Sequence, residues 1–507
     1  MGIGGGIMKK LGIIDIGSNS IRLILIGVED NYTFSIIDEV KESVRLGKDI
    51  NENGELDSDR METAFNTLSF FKKLCIYQNV TELLAVATEA VRKASNQKYF
   101  LDRAKEVLNL DIRILSGVEE AYYDYFGTVN TLETADSVLM DIGGSSTELA
   151  HIKNSKLISS ISLPFGAIDL SERFSLFETM DEKKEKDLAD YLKSFYKQVP
   201  WLKNLQNVDV IGIGGSIRNI AKIHQKLCLY PMNNLHNYRM NSKDVLNIYK
   251  IIKATNLEQR RKIKGLSKDR ADIILGPLAA LTTLQEYVNS KEVCICSHGI
   301  RDGLLYEYLL NSRTPIFDVF DFSIKKHLDK YSQFEAHPRK VWSLMESLYN
   351  QLNPLLKLTI NPYKVIKTAS LLHDCGININ YYDHHKHSFY IILNSNINGL
   401  THKEQLMAAY VAANHRRNNF KVNTEYLDKI LSGQDVSDID KLSILLRICE
   451  SLDTGMNSNV DGIQCSFEND KVVIKLQSKD NPILEIHDAM EAAPAFKKIF
   501  NRTLVIT

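Results

Sequence analysis

Apolar and polar positions alternate along this chain in a way that separates a first part of short strands and helices from a second part that is helical. Residues 11 to 28, "LGIIDIGSNSIRLILIGV", set two runs of branched apolar residues around a Gly/Ser/Asn turn. That pattern predicts a β-hairpin rather than a strand entering a helix. Apolar residues at helical spacing predict helices over 59–79 and 97–110, and between them "ELLAVATEAVRKA" passes from a buried strand into a helix. "IRILSGVEEAYYDYFGTV" then gives a strand, a Ser-Gly turn and a helix that opens on two acids, at the positive end of its dipole.

The pattern restarts at "SVLMDIGGSSTELAHI", where Asp141 stands 126 residues after Asp15 and the Asp-Ile-Gly sequence is again followed by small polar residues. Two similar lobes are expected from that repeat. The second continues through a helical "EKKEKDLADYLKSFYKQV", a strand and glycine loop "DVIGIGGSIRNIAKI", a helix from about Arg270 to Tyr287, the strand "EVCICS" and the helix "GIRDGLLYEYLL". The alternation stops near Ser312, and residues from about 320 to 455 read as helical throughout, with histidines at helix ends. Beyond Gly462, "IQCSFENDKVVIKLQ" and "PILEIHD" read as strands, followed by a short helix and a final strand. The expected organisation is lobe I over 1–127, lobe II over 128–313, an all-α domain over 314–455 and a small α+β domain over 456–507.

Composition narrows the class without naming a chemistry. A chain of 507 residues, 44% apolar and 25% charged, has the balance of a soluble globular protein of several domains. No run approaches the ~20 apolar residues that span a bilayer. The opening "MGIGGGIMKK" lacks the apolar core and cleavage site of a secretory signal. Seven scattered cysteines without metal-type CxxC pairs point to a reducing, cytoplasmic compartment. Cys294 and Cys296 alternate within a strand and are expected as buried thiols rather than a redox pair. A net charge of −1 announces no nucleic-acid or membrane partner, so any anion site must be local.

Three glycine turns are candidates for such a site: Gly17, Ser18, Asn19 and Ser20; Gly143, Gly144, Ser145 and Ser146; and Gly214, Gly215 and Ser216. Glycine lets backbone N–H groups converge on an anion. One such turn merely reverses a chain, but three in repeated lobes suggest a clamp on a phosphate chain. Asp15, Asp141 and Glu148 add hard oxygen ligands of the kind that Mg²⁺ takes alongside water and phosphate oxygens. Turn capping would explain one aspartate but not the recurrence. Arg22 and Arg92 are candidates to face the same anion through their planar forks.

In order along the chain, "DIGSNSIRL", "ATEAVRKASN", "ILSGVEEAYYDYFG", "DIGGSSTEL", "GIGGSIRNIA" and "RDGLLYEYL" resemble the exopolyphosphatase and guanosine pentaphosphate phosphohydrolase family over roughly residues 11 to 310. The resemblance implies the fold shared by actin, sugar kinases and Hsp70 chaperones, with duplicated lobes closing over a phosphate chain. It also implies that Glu120, the second acid of "SGVEEA", takes a proton from the attacking water. Glu119 is its rival, and two acids stabilising a helix N-terminus is the plain alternative for both. The family usually has a third glycine where this chain has Ser145. A left-handed backbone there would strain the serine, while its hydroxyl offers another donor to phosphate.

"LLHDCG" sets His373 beside Asp374, with His337 upstream and His415 and Asp453 downstream. These residues resemble the HD metal-dependent phosphohydrolase superfamily, which implies a divalent metal held by His337, His373, Asp374 and Asp453. "HHKHSFYIILNS" matches the C-terminal half of long exopolyphosphatases, where such a domain is expected to shape a channel for polymer. The basic clusters "RRKIKG" and "HRR", together with "HHKH", are candidates to line that path. The expected activity is Mg²⁺-dependent release of terminal orthophosphate from inorganic polyphosphate, with a monovalent cation such as K⁺ as a further candidate ion and a homodimer as the expected assembly. Guanosine pentaphosphate is the nearest alternative substrate. A kinase of the same fold and a non-catalytic sensor of phosphate chains are the other readings.

Overall fold

The two hairpins form as the repeat requires, and the rest of the first unit is built around them. In the computed structural model, which describes residues 9–29, 33–50, 53–331, 336–416 and 420–507, β1 (Lys9–Ile16) and β2 (Ile21–Val28) pair antiparallel with Asp15 opposite Arg22. The opening segment and Arg417 of the "HRR" cluster lie outside the described residues. β6 (Ser137–Ile142) and β7 (Thr147–Lys153) repeat the pairing with Asp141 opposite Glu148.

Each hairpin gains a third antiparallel strand, β3 (Phe34–Glu42) or β8 (Lys156–Leu163), which the sequence reading did not single out. On its other side each first strand pairs in parallel, β1 with β4 (Glu82–Ala87) and β6 with β9 (Asp209–Ile213). With β5 (Arg113–Ile114), β10 (Tyr238–Asn241) and β11 (Glu292–Ile295), the sheet orders among the described residues are β3-β2-β1-β4-β5 and β10-β11-β9-β6-β7-β8. The second order contains the first, with β10 added antiparallel at the edge.

Both faces of the first sheet are covered, which is why β1 and β2 read as near-continuous apolar runs. Ile14, Ile16, Leu23 and Leu25 pack on one side with the helix Ser58–Tyr77. Leu11, Ile13, Ile24 and Ile26 pack on the other with Tyr123, Leu304, Leu305 and Leu309. The last three belong to the helix Ile300–Leu310, which follows the second sheet in sequence yet covers the first. It lies close against the helix Gly117–Val129, because Gly303 and Gly127 present bare backbone: a Cβ on Gly303 would stand 2.2 Å from the Tyr123 carbonyl oxygen. The expected helix from Arg270 starts later, at Leu275, with Pro277 in its first turn where a missing N–H is tolerated.

The chain forms two compact units, Met1–Phe317 and Asp318–Thr507, so the two expected lobes belong to one unit and the helical stretch and C-terminal strands to the other. One apolar core runs through the second unit from Phe320 to Ile506. β12 (Val460–Glu468), β13 (Lys471–Ser478) and β14 (Thr503–Ile506) form its sheet. "PILEIHD", expected as a strand, is instead the start of the helix Ile483–Met490. Its inward residues are Ile486, Ala489 and Met490, spaced for a helix, while Ile483 and Leu484 are exposed.

Candidate active site

In the first unit both hairpins turn in the same way: the Gly17 N–H donates to the Ser20 carbonyl at 3.1 Å and the Gly143 N–H to the Ser146 carbonyl at 3.0 Å. The two turns meet across a narrow gap. A Cβ on Gly144 would lie 2.7 Å from Ser18 Cβ, so side chain there would wedge the lobes apart. Gly214 opens the helix Gly214–Leu227 with φ +88°, and a Cβ on it would sit 2.3 Å from Asp141 Oδ1. These constraints explain why glycine stands at both positions.

The turns open on one cavity of about 150 Å³. Of the residues singled out from sequence, Asp15, Gly17, Ser18, Asn19, Ser20, Arg22, Glu120, Asp141, Gly143, Gly144, Ser146, Glu148, Gly214 and Gly215 line it. Ser145, Ser216 and Arg92 do not. Ser145 is not in the left-handed region, so the substitution for the family's glycine carries no backbone strain. Its hydroxyl is buried without a hydrogen-bond partner. Ser216 is fully buried and accepts from Arg270 Nη1 at 3.0 Å, which places it behind an arginine that does reach the cavity. Arg92 binds the carboxylates of Glu120 and Glu89. It is thereby placed to orient the candidate base.

The two rival acids separate cleanly. Glu119 closes a capping box: its carboxylate accepts from the Ser116 N–H at 2.8 Å, and its own N–H donates to Ser116 Oγ at 3.2 Å. It also pairs with Arg113 and is 38% exposed. The Ser116 N–H and Arg113 hold its carboxyl down to about 2. Glu120, one residue on and 5% exposed, faces the cavity. Burial pushes its carboxyl up to about 7, against the pull of Arg92.

Around Glu120 the buried charges oppose one another. Burial raises Asp15, raises Asp141 to about 6, and raises Glu148 well above the usual range. Asp124, one helical turn beyond Glu120, is fully buried and neither of its carboxylate oxygens has a hydrogen-bond partner. Arg218, Arg270 and Arg301 line the same cavity and were missed in the sequence reading. Arg218 lies beside the glycine loop of "GIGGSIRNIA" and Arg301 opens "RDGLLYEYL", so both were legible as charged positions within those motifs. Arg22 and Arg270 are each held down to about 10, first by burial and then by neighbouring arginines. Mutually repelling arginines call for an anion, and an orphaned carboxylate among other acids calls for a cation.

In the second unit His337, His373 and Asp374 converge, as do Asp374, His384 and His415. Asp453, expected among the ligands, stands behind them: its Oδ2 is 2.8 Å from His337 Nδ1 and its Oδ1 accepts from the Ser458 N–H at 2.9 Å. The basic path assumed from sequence loses members. Arg260 is fully buried and donates to the carbonyls of Leu176 and Glu178, while His384 and His415 face inward.

The model of the Ppx/GppA phosphatase family matches residues 25–312, and that of the Ppx/GppA phosphatase domain III matches 319–492. The chain belongs to the Ppx/GppA phosphatase family. Its members hydrolyse phosphoanhydride bonds, and so this phosphatase is an enzyme of that class. A guanosine-5'-triphosphate,3'-diphosphate pyrophosphatase of Pseudoalteromonas translucida is 28% identical over 415 residues, covering 80% of each chain. Among solved structures, a Ppx/GppA family member of Aquifex aeolicus has TM-score 0.52 at 28% identity, covering 61% of the phosphatase and all of that chain. An exopolyphosphatase of Cytophaga hutchinsonii has TM-score 0.56 at 24% identity, covering 60% and 98%. These likenesses bear out the actin-like α/β fold of the first unit. No helix among the described residues is long and apolar enough to cross a membrane.

Proposed function

We propose that the first unit removes the terminal orthophosphate from inorganic polyphosphate, with Glu120 as the base that accepts a proton from the attacking water. The observation that carries this reading is the convergence on one cavity of both hairpin turns, four arginines and Glu120. Phosphoryl transfer asks little covalent chemistry of a protein and much positioning and charge neutralisation. Arg22, Arg218, Arg270 and Arg301 supply the positive field for the phosphate chain, and the turns at Gly17–Ser20 and Gly143–Ser146 border it. Arg92 pairs with the Glu120 carboxylate and holds it in place.

The carboxylates fit a divalent cation, since Asp124 is buried without a partner and Asp15, Asp141 and Glu148 border the cavity. Asp141 and Glu148, with Asp15 nearby, would hold Mg²⁺. They are not gathered as tightly as the histidine cluster, which suits an ion that keeps water and phosphate oxygens in its shell. When bound, Mg²⁺ neutralises charge on the phosphate oxygens.

Guanosine pentaphosphate is the second reading, favoured by the name of the Pseudoalteromonas translucida relative. Polyphosphate ranks first because, among the described residues, those lining the cavity include no aromatic ring on which a base would stack. Phosphate release measured on long polyphosphate and on guanosine pentaphosphate, each with and without Mg²⁺, decides between them. Faster turnover of the nucleotide would replace the first reading by the second, and tight binding without phosphate release would make the protein a sensor.

A further inference from the structure

The strand β3 buries little, yet its charged residues are engaged. Glu39 and Lys41 stand two apart and so share a face of the strand. Glu39 Oε1 accepts from Arg301 Nη1 at 2.7 Å, and Lys41 Nζ donates to Asp269 Oδ2 at 3.0 Å. Just beyond β3, Arg45 holds a left-handed backbone at φ +54°, which is unfavourable for a residue with a Cβ. Two sets of contacts keep it there. Its N–H donates to the Asn19 carbonyl of the first hairpin turn at 3.0 Å. Its guanidinium donates to both oxygens of Asp272, at 2.8 and 3.3 Å, and to the Asp269 carbonyl at 2.8 Å. Backbone strain persists where the surroundings over-determine it, and it gathers at functional sites.

Asp269 and Asp272 flank Arg270 on a segment that belongs with the second sheet. Ala271 and Ile274 share a core with Val138 and Met140 of β6, and Ser171 Oγ donates to the Asp272 carbonyl at 2.7 Å. The first sheet therefore grips this segment on either side of Arg270, which reaches the cavity. Arg270 depends on such a hold. It is buried, repelled by Arg22, and among the described residues no carboxylate pairs with it. Its guanidinium donates to Ser216 Oγ at 3.0 Å and lies against Gly215, where a Cβ would stand 2.3 Å from its Nη2. A long side chain repelled by its neighbours swings out to water unless its surroundings fix it. The pairs made by Lys41 and Arg45 are partly exposed and add little to stability, which leaves placement as what they supply.

We propose that Arg45, with Lys41, is a positioning residue for the phosphate chain: by gripping Asp269 and Asp272 it seats Arg270 where the oxygens of the chain bind. The inference rests on the reading of the cavity as a phosphate-chain site. It adds a link from the first hairpin turn, through Arg45, to an arginine carried by the other sheet.

The test is calorimetric binding of a non-hydrolysable methylene analogue of tripolyphosphate to the full-length protein in Mg²⁺. Arg270→Gln should bind ~10–100-fold more weakly, through loss of a charge-assisted hydrogen bond. Asp272→Ala separates seating from simple charge. It removes a negative charge near the cavity, so the field alone would tighten an anion, whereas loss of the grip weakens binding by roughly tenfold. On the Arg270→Gln background the same substitution should change affinity less than about twofold. Unchanged or tighter binding by Asp272→Ala overturns the proposal, as does equal weakening on both backgrounds. Arg45→Lys keeps the charge and loses the planar fork, so it gives the same reading if Asp272→Ala fails to fold: weaker binding is expected, and wild-type affinity overturns the proposal. Absence of binding by wild type would overturn the cavity reading and this inference with it, a result distinct from a wild type that binds and an Asp272→Ala variant that binds as well.

Discussion

At the scale of single residues, the decisive contrast is between Glu119 and Glu120, neighbours with opposite surroundings. Glu119 is spent on capping and on Arg113, while Glu120 is buried at the cavity and paired with Arg92. Glu119→Gln keeps the capping-box chemistry, because glutamine serves at that position too. Its turnover should stay within a few-fold of wild type. Glu120→Gln should lose ~10²–10⁴ in kcat with KM for polyphosphate little changed; steady-state phosphate release on the two variants checks both expectations. With Glu120 raised to about 7, the base is lost as pH falls, so kcat/KM measured at fixed Mg²⁺ should decline about tenfold per pH unit below its lower break. The motif resemblance named Glu120 from sequence. The roles of Arg92 and Ser216 were not legible, because whether an arginine or serine meets a ligand or a neighbouring side chain depends on contacts between distant segments, here Arg92 with Glu120 and Ser216 with Arg270.

At the scale of elements, the hairpins were legible because strand alternation and a glycine turn are local signals. The added edge strands β3 and β8 were not singled out: most of β3 is exposed, so it lacks a sustained apolar run. Ile483–Met490 was misread because a short apolar run carries no period of its own until its packing partners are known. The helix pair Gly117–Val129 and Ile300–Leu310 matters most for the site, since it carries Glu120 and Arg301. Gly303→Ala would force a methyl group to within 2.2 Å of the Tyr123 carbonyl oxygen. Overpacking of this kind costs roughly 1–3 kcal/mol. The variant should therefore show a lower Tm in thermal unfolding, and a lower kcat as the helix bearing Glu120 shifts.

At the scale of the whole molecule, the repeat explains why one turn sequence occurs twice: two hairpins of one topology face a shared cavity. The carboxylates gathered there oppose folding at neutral pH. Asp141 and Glu120 are raised to about 6 and 7 by burial, so the folded protein holds protons that the unfolded chain releases. Their stabilising contribution is complete below the ordinary carboxylate range and is lost as pH rises through those values. A divalent cation held there, as proposed, would offset that loss by binding the ionised groups of the folded state. Mg²⁺ should accordingly raise Tm more at pH 8 than at pH 5, as read by differential scanning fluorimetry; an equal shift at both values would argue against the carboxylate site.

The central claim is that this cavity grips the end of a phosphate chain so that Glu120 can direct water at the last phosphorus. It is tested most directly by orthophosphate release from long-chain polyphosphate, in Mg²⁺, by wild type and Glu120→Gln, together with the affinity of each for the polymer. Release by wild type, a loss of ~10²–10⁴ in the variant and unchanged affinity are expected. Near-normal release by a folded Glu120→Gln protein would contradict it.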